Sequence, residues 1–245
     1  MTLPDSRAIF DVIDHTWPAA FIWTQGPFTM RRNAGGGSRV TAATLNTTAT
    51  TADINTAQNT MHQMGQPVLF RVKDGQDVFD TQLAAAGYAV KDPVILYAAS
   101  TAQTVFPQAP HKTCFPVWPP LTVQTDIWTK GGIGPAQIDI MHRAHGPKTS
   151  ILGRVGERPA GTVYAALHAS IAMLHTLEID PDFRRRGLGK HLTRSVAQWA
   201  RTQNASHLTL LATRANIGAC ALYASLGMQV VGHYHYRIKT EGFPP

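Results

Sequence analysis

The sequence lacks any run approaching the roughly 20 consecutive apolar residues of a membrane-spanning helix. No signal peptide is expected either: the opening "MTLPDSRAIFDVIDHTWP" is acidic and broken by prolines, where an export signal needs a basic start and an apolar core. The two absences lead to the expectation of a soluble, cytoplasmic protein with no membrane partner. Cysteine is scarce. Cys114 and Cys220 are far apart and neither belongs to a CxxC pair, which argues against a disulfide framework or a thiolate zinc site. Basic residues are scarce in the first half only. Residues 1–110 carry 7 Lys+Arg against 8 Asp+Glu, and residues 111–245 carry 15 against 7, so the net charge of +7 belongs to the second half. A basic half implies an anionic partner, whether nucleic acid, a membrane surface or a phosphorylated small molecule.

What is present is an ordinary globular composition, 245 residues and 44% hydrophobic. That suits one large domain or two smaller ones. A helix is expected over Asp5–His15, where Ile9, Val12 and Ile13 recur at helical spacing. Two strands joined by a turn at Asn33–Ser38 follow. The triple glycine there is not a P-loop, because no lysine or helix start of that kind comes after it. Next come a helix in "TADINTAQNTMHQM", a strand in "QPVLFRV", a helix in "DVFDTQLAAAG" and an extended segment in "YAVKDPVILYAA". The stretch "QTVFPQAPHKTCFPVWPP", with five prolines, reads as a linker with a boundary near Pro110.

The second half opens with "LTVQTDIWT", read as a strand. A helix follows in "GPAQIDIMHRAH", with Ile138 and Met141 inward, then antiparallel strands whose first turn lies near Glu157–Ala160. Residues Gly187–Gln203 read as a helix, because Leu188, Leu192, Val196 and Trp199 form one stripe. A strand "HLTLLAT", a short helix ending at Gly227 and a closing strand "MQVVGHYHYRI" complete a mixed α/β sheet with helices on its faces.

Within that pattern "EIDPDFRRRGLGKHL" joins a strand to a helix. A helix start offers several unpaired N–H groups and a partial positive charge. Glycines at 187 and 189 remove side chains that would keep an anion away, and the arginines and Lys190 add charge, so the stretch can cradle phosphate. A solvated basic turn is the competing reading. The spacing Arg184-x-x-Gly187-x-Gly189 resembles the acyl-CoA pyrophosphate motif of the GNAT superfamily of N-acetyltransferases. "NIGACALYASLGM" resembles that family's later motif: Asn216, Tyr223, Leu226 and Gly227 match, and Met228 replaces the usual aromatic. The resemblance covers about residues 120–240.

The resemblance implies acetyl-CoA as cosubstrate and an amine of a small molecule or peptide as acceptor. It implies that the strand at Leu177–Ile179 splays from its neighbour and pairs its backbone with the pantetheine arm. The pyrophosphate would sit on Arg184, Arg185, Arg186, Gly187, Leu188, Gly189 and Lys190, with Asn216 and Ala219 also at the cofactor. Tyr223 would lie near the thioester sulfur. With an unperturbed pKa near 10, a tyrosine keeps its proton at neutral pH and can serve as general acid. Glu178 is the candidate base, directly or through water. His175, on a strictly alternating strand, faces with Leu177 and Ile179 and away from Glu178. His168 lies on the preceding strand, and both histidines read more simply as structural.

The pairs His142/His145 and His233/His235 lack a completing carboxylate or cysteine, so no metal is expected. No aromatic-basic interleaving supports nucleic-acid binding. The non-catalytic alternative is an acyl-CoA-binding sensor or scaffold, which the presence of Tyr223 and Asn216 argues against. Residues 1–110 resemble a partial or degenerate GNAT-like domain without a cofactor motif. Aligning Gly87 with Gly227 puts Leu83 where Tyr223 stands. Residues 111–245 are expected to be the catalytic domain, in a monomer or homodimer.

Overall fold

Asp5 opens the first helix, α1 (Ser6–Thr16), by accepting a hydrogen bond from the Ala8 N–H at 2.8 Å. This is the side-chain cap that the unpaired N–H groups of a first turn require. Here α1 and all that follows come from a computed structural model describing residues 2–102 and 107–239. The elements then run β1 (Phe21–Gln25), β2 (Phe28–Arg32), β3 (Ala43–Leu45), α2 (Thr51–Gln63), β4 (Val68–Lys73), α3 (Asp77–Ala85) and β5 (Ala89–Ser100). After them come β6 (Cys114–Val117), α4 (Thr122–Lys130), α5 (Pro135–Arg143), β7 (Lys148–Val155), β8 (Arg158–His168) and β9 (Ile171–Ile179). The series ends with α6 (Leu188–Thr202), β10 (His207–Thr213), α7 (Ile217–Ser225) and β11 (Gln229–Lys239).

Two compact units share these elements. One holds the N-terminal stretch up to Pro18, Leu96–Ala212 and Asn216–Val231; the other holds Ala19–Ile95, Thr213–Ala215 and the chain from Gly232 onwards. The division therefore does not fall at the proline-rich segment near Pro110. That segment instead contributes β6, which pairs with β7 from Cys114↔Gly153 to Val117↔Ser150. A proline is tolerated there because an edge strand has a free side. The part of the expected linker at 103–106 lies outside the described residues.

In the first unit the strand order is β5-β10-β9-β8-β7-β6, with β6 to β9 antiparallel and β9 parallel to β10. Trp17, Trp128, Tyr164, Ile140 and Met141 are buried among the helices α1, α4 and α5, while Leu188, Leu192 and Val196 form the buried stripe of α6. In the second unit the order is β1-β2-β3-β4-β11, with only β3 and β4 parallel. Its core is a cluster of aromatic rings from Phe28, Phe70, Phe79 and Tyr88.

Three local expectations are corrected. Residues 122–130 form a helix, not a strand, despite their Val, Ile and Thr. Gln124, Ile127 and Trp128 are buried at helical spacing, and the Gln124 Oε1 accepts the Leu121 N–H at 3.0 Å, closing the first turn. In α5 the inward residues are Ile140 and Met141, with Ile138 only half-buried. The first hairpin turns at Gly26 (φ +53), between β1 and β2, so the region holds three strands; the glycine-rich loop joins β2 to β3.

Candidate functional site

The site starts from a gap in the sheet of the first unit. β9 and β10 run in register only from Ile171↔His207 to Leu174↔Leu210. Beyond that point Leu177–Ile179 keep their pairing to β8, with Glu178 opposite Thr162 and Ile179 opposite Gly161, but have no ladder partner on the β10 side. The cause is local. Thr176 has φ +48, and Tyr164 and Thr162, two apart on β8, face His175 and Glu178, three apart on β9. This is a β-bulge, which bends its strand and re-aims the residues beyond it. The Trp128 Nε1–H on α4 donates to the Thr176 carbonyl at 2.7 Å and pins the bulge.

The bulge also corrects the expected alternation. His175 and Glu178 share one face of β9, while Leu177 and Ile179 face α6. A Cβ on Gly189 would lie 3.9 Å from the Leu177 side chain, and one on Gly161 would collide with both Ile179 and Leu188. His175 is buried, its Nε2 2.9 Å from the Thr16 hydroxyl and its ring against Trp17 and Tyr164. It is a core residue under α1, as the simpler reading held.

The chain then crosses to α6. Arg185 (φ +63) and Gly187 (φ +80) both take left-handed backbone conformations. Gly187 is the N-cap residue and has no side chain to close the helix start. Lys190 and His191 return their N–H groups to the Gly187 carbonyl at 3.0 and 3.2 Å. Among the described residues, the N–H groups of residues 185 to 189 meet no acceptor. Five amides in a turn at the positive end of a 15-residue helix form a nest for an anion. Gly189 serves packing as well, since a Cβ there would lie 3.2 Å from Leu222 on α7.

The cations around this nest do different things. Arg184 folds back along the end of β9, still partly exposed: its Nη2 donates to Glu178 Oε1 at 3.1 Å, and its Nε to the Ile179 carbonyl at 3.1 Å. Arg186 lies over the Phe183 ring, 5.4 Å from its centroid, and its exposed neighbour Arg185 carries the turn. Lys190 and Arg194 flank His191, whose pKa is lowered by burial first and by these two cations next.

Glu178 is only 18% exposed. Its carboxylate lies against Gly131 at the end of α4, so closely that a Cβ there would sit 2.5 Å from Cδ. Asn216 caps α7, accepting the Ala219 N–H at 3.0 Å. Both residues expected at the cofactor thus also have a structural bond to each other.

Tyr223 is 5% exposed, and burial, with Cys220 and Tyr97 beside it, pushes its pKa well above the usual tyrosine value. Its ring packs 5.8 Å from that of Tyr97 on β5. Tyr97 is itself pushed up to about 12 by burial and by a hydrogen bond with Cys220. The pair of phenols was not anticipated. Tyr97 lies in "VILYAA", a plain apolar strand sequence with no motif to mark it.

The remaining histidines divide. His142 packs on Trp118, and His233 and His235 each meet a carboxylate, Asp74 at 3.5 Å and Asp80 at 2.7 Å. Those carboxylates are separate, so the pair has no common ligand set. No helix among the described residues is long and apolar enough to cross a membrane.

Known proteins resemble this chain in sequence and in fold. The profile of a family described as "Acetyltransferase (GNAT) family" matches residues 111–228. An uncharacterized N-acetyltransferase of Bacillus subtilis, YobR, is 23% identical over 97% of this chain and all of its own length. Human N-acetyltransferase 8 is 34% identical over 82 residues, 34% of this chain and 35% of that protein. Among solved structures, a GCN5-related N-acetyltransferase from Kribbella flavida superposes with a TM-score of 0.74 at 13% identity, covering 96% of this chain and 95% of the other. The fold is accordingly GNAT-like along nearly the whole chain, and residues 111–228 match the GNAT family of acetyltransferases.

Proposed function

We propose that this chain transfers an acetyl group from acetyl-CoA to a primary amine of a small molecule or peptide. The observation that carries the proposal is the conjunction of a splayed strand edge at Leu177–Ile179 with an uncapped helix start at Gly187. The free edge suits an extended amide-bearing arm, and the adjacent nest suits its pyrophosphate. The residues present fit the cosubstrate: Leu177 and Ile179 through backbone, and residues 185 to 190 through amides and charge. Asn216 and Ala219 would form the neighbouring wall.

Acetyl-CoA supplies an activated acyl group as a thioester. The protein has to hold the amine against it, which removes much of the entropic barrier, and to manage two protons. Glu178, in the mouth between β9 and the end of α4, takes a proton from the incoming ammonium directly or through water. Tyr223 gives a proton to the departing sulfur; its raised pKa keeps it protonated throughout the neutral range. Arg184 holds the Glu178 carboxylate in place through the 3.1 Å bond.

We read residues 1–110 as a partial or degenerate GNAT-like domain that carries neither a cofactor motif nor an acid. The alternative, a sensor that binds acetyl-CoA without turning it over, is separated by one pair of measurements. Acetyl-CoA should raise the melting temperature, as any ligand of the native state does, and a panel of amines followed by CoA release should yield at least one acceptor. Stabilisation without release by any amine would favour the sensor; no stabilisation would sink the acetyl-CoA reading.

A further inference from the structure

Away from the nest, α1 presents two residues at i and i+4, Asp11 and His15, to the end of β8, where His168 stands. The three can each offer a ligand atom, and these atoms lie within 4.8 Å of one another. We propose that Asp11, His15 and His168 form a site for a divalent transition-metal ion of the zinc type, joining α1 to β8.

The chemistry of each group fits. The His15 Nδ1–H donates to the Asp11 backbone carbonyl at 2.9 Å. Nδ1 also lies 3.4 Å from Asp11 Oδ1; with Nδ1–H held by the carbonyl, the outer hydrogen bond that metal-bound imidazoles characteristically make, Nε2 would be the atom offered to a metal once the ring turns. His168 Nε2 and Asp11 Oδ2 are 3.0 Å apart. Two ligands of a tetrahedral ion bound at 2.0–2.1 Å stand about 3.4 Å from each other, so these two need to part by only a few tenths of an ångström. The His15 and His168 rings are stacked, 3.7 Å between centroids and 5° from parallel. An ion between them requires the rings to tilt open, which partly exposed side chains can do. Two imidazoles and one carboxylate suit zinc, nickel or copper over calcium or magnesium, which prefer all-oxygen sites. Three protein ligands leave the remaining positions to water.

The test uses the full chain freed of metal with a chelator, then titrated with Zn2+ by calorimetry, with Co2+ absorption as a second readout. The expected result is one ion per chain, a raised melting temperature, and cobalt bands in the visible typical of low coordination. His15→Gln and His168→Gln should each weaken Zn2+ binding by at least about tenfold, while the control His233→Gln/His235→Gln should bind as the parent does. Binding that survives both single substitutions, or no stoichiometric binding at all, would overturn the proposal. Circular dichroism of each variant separates ligand loss from misfolding. Neither outcome bears on the acetyl-CoA reading, because none of these residues belongs to that site.

Discussion

Two helix starts follow the same course through the chain and end differently. α2 links the parallel strands β3 and β4, and α6 links the parallel strands β9 and β10. At α2, Thr50 accepts the Asp53 N–H at 3.3 Å, and Asp53 Oδ2 accepts the Thr50 N–H at 2.8 Å. The helix closes its own start, with its own carboxylate at the positive end. At α6 a left-handed glycine stands in the cap position and cations replace the carboxylate. The next helices repeat the contrast. α3 and α7 both span nine residues and both end in a left-handed glycine, Gly87 and Gly227, whose N–H groups each return to an alanine carbonyl at 3.0 Å. Inside these matching frames Leu83 is buried hydrocarbon and Tyr223 a buried phenol. On the proposed function, the same backbone course would carry stability in one unit and chemistry in the other, the choice resting on a few side chains.

The largest expected effect comes from making the two α3/α7 frames alike. Tyr223→Phe keeps the ring and removes the proton. With a verified amine, kcat should fall by about 10²–10⁴-fold while the acetyl-CoA dissociation constant stays within a few-fold. The mirrored change Leu83→Met should leave kcat unchanged and cost less than about 1.5 kcal/mol of stability. Equal rates for Tyr223→Phe and the parent would remove the acid role from Tyr223; Tyr97, its neighbour, would then be the next phenol to replace.

Closing the open nest is the second way to break the contrast. Gly187→Asp imposes a side chain at φ +80 and puts a carboxylate where the phosphates are expected. Left-handed strain alone costs about 1–3 kcal/mol, and charge repulsion adds to it. Acetyl-CoA affinity, measured by calorimetry, should fall by at least about tenfold. Gly187→Ala separates the terms: it keeps the strain without the charge, so it should lose less. Undiminished binding in Gly187→Asp would mean that the anion is held elsewhere.

Much of this arrangement was legible in the sequence. The Arg184–Gly189 spacing and the Asn216–Gly227 stretch marked the nest and the α7 frame, since both depend on local backbone chemistry. What depended on distant contacts was not legible. The segment 122–130 reads as a strand from its β-branched residues, but burial of Ile127 and Trp128 against the sheet decides for a helix. The bulge at Thr176 is held by Trp128, 48 residues away, so strict alternation put His175 on the wrong face. Arg184 sits at the family position, yet its guanidinium is committed to Glu178, a pairing that only the folded turn reveals. The chain crosses between the two units within β5 and again within β11, where the sequence has no break to mark it.

The smallest expected effect tests the closed helix start. Thr50→Ala deletes the cap that receives the Asp53 N–H, and a lost threonine cap costs ~1 kcal/mol. Its hydrogen bonds from Thr50 hold the Asp53 carboxyl below the usual aspartate range. A carboxyl whose folded pKa is depressed contributes stability above its unfolded value, and that contribution is lost as pH falls through the folded value. The difference in melting temperature between parent and Thr50→Ala should therefore be largest at neutral pH and shrink on acidification below about pH 4. Acetyl-CoA affinity should not change, because α2 has spent its start on its own side chains. A loss of affinity in Thr50→Ala would mean that the second unit takes part in cofactor binding, and the contrast between the two helix starts would no longer separate structure from function.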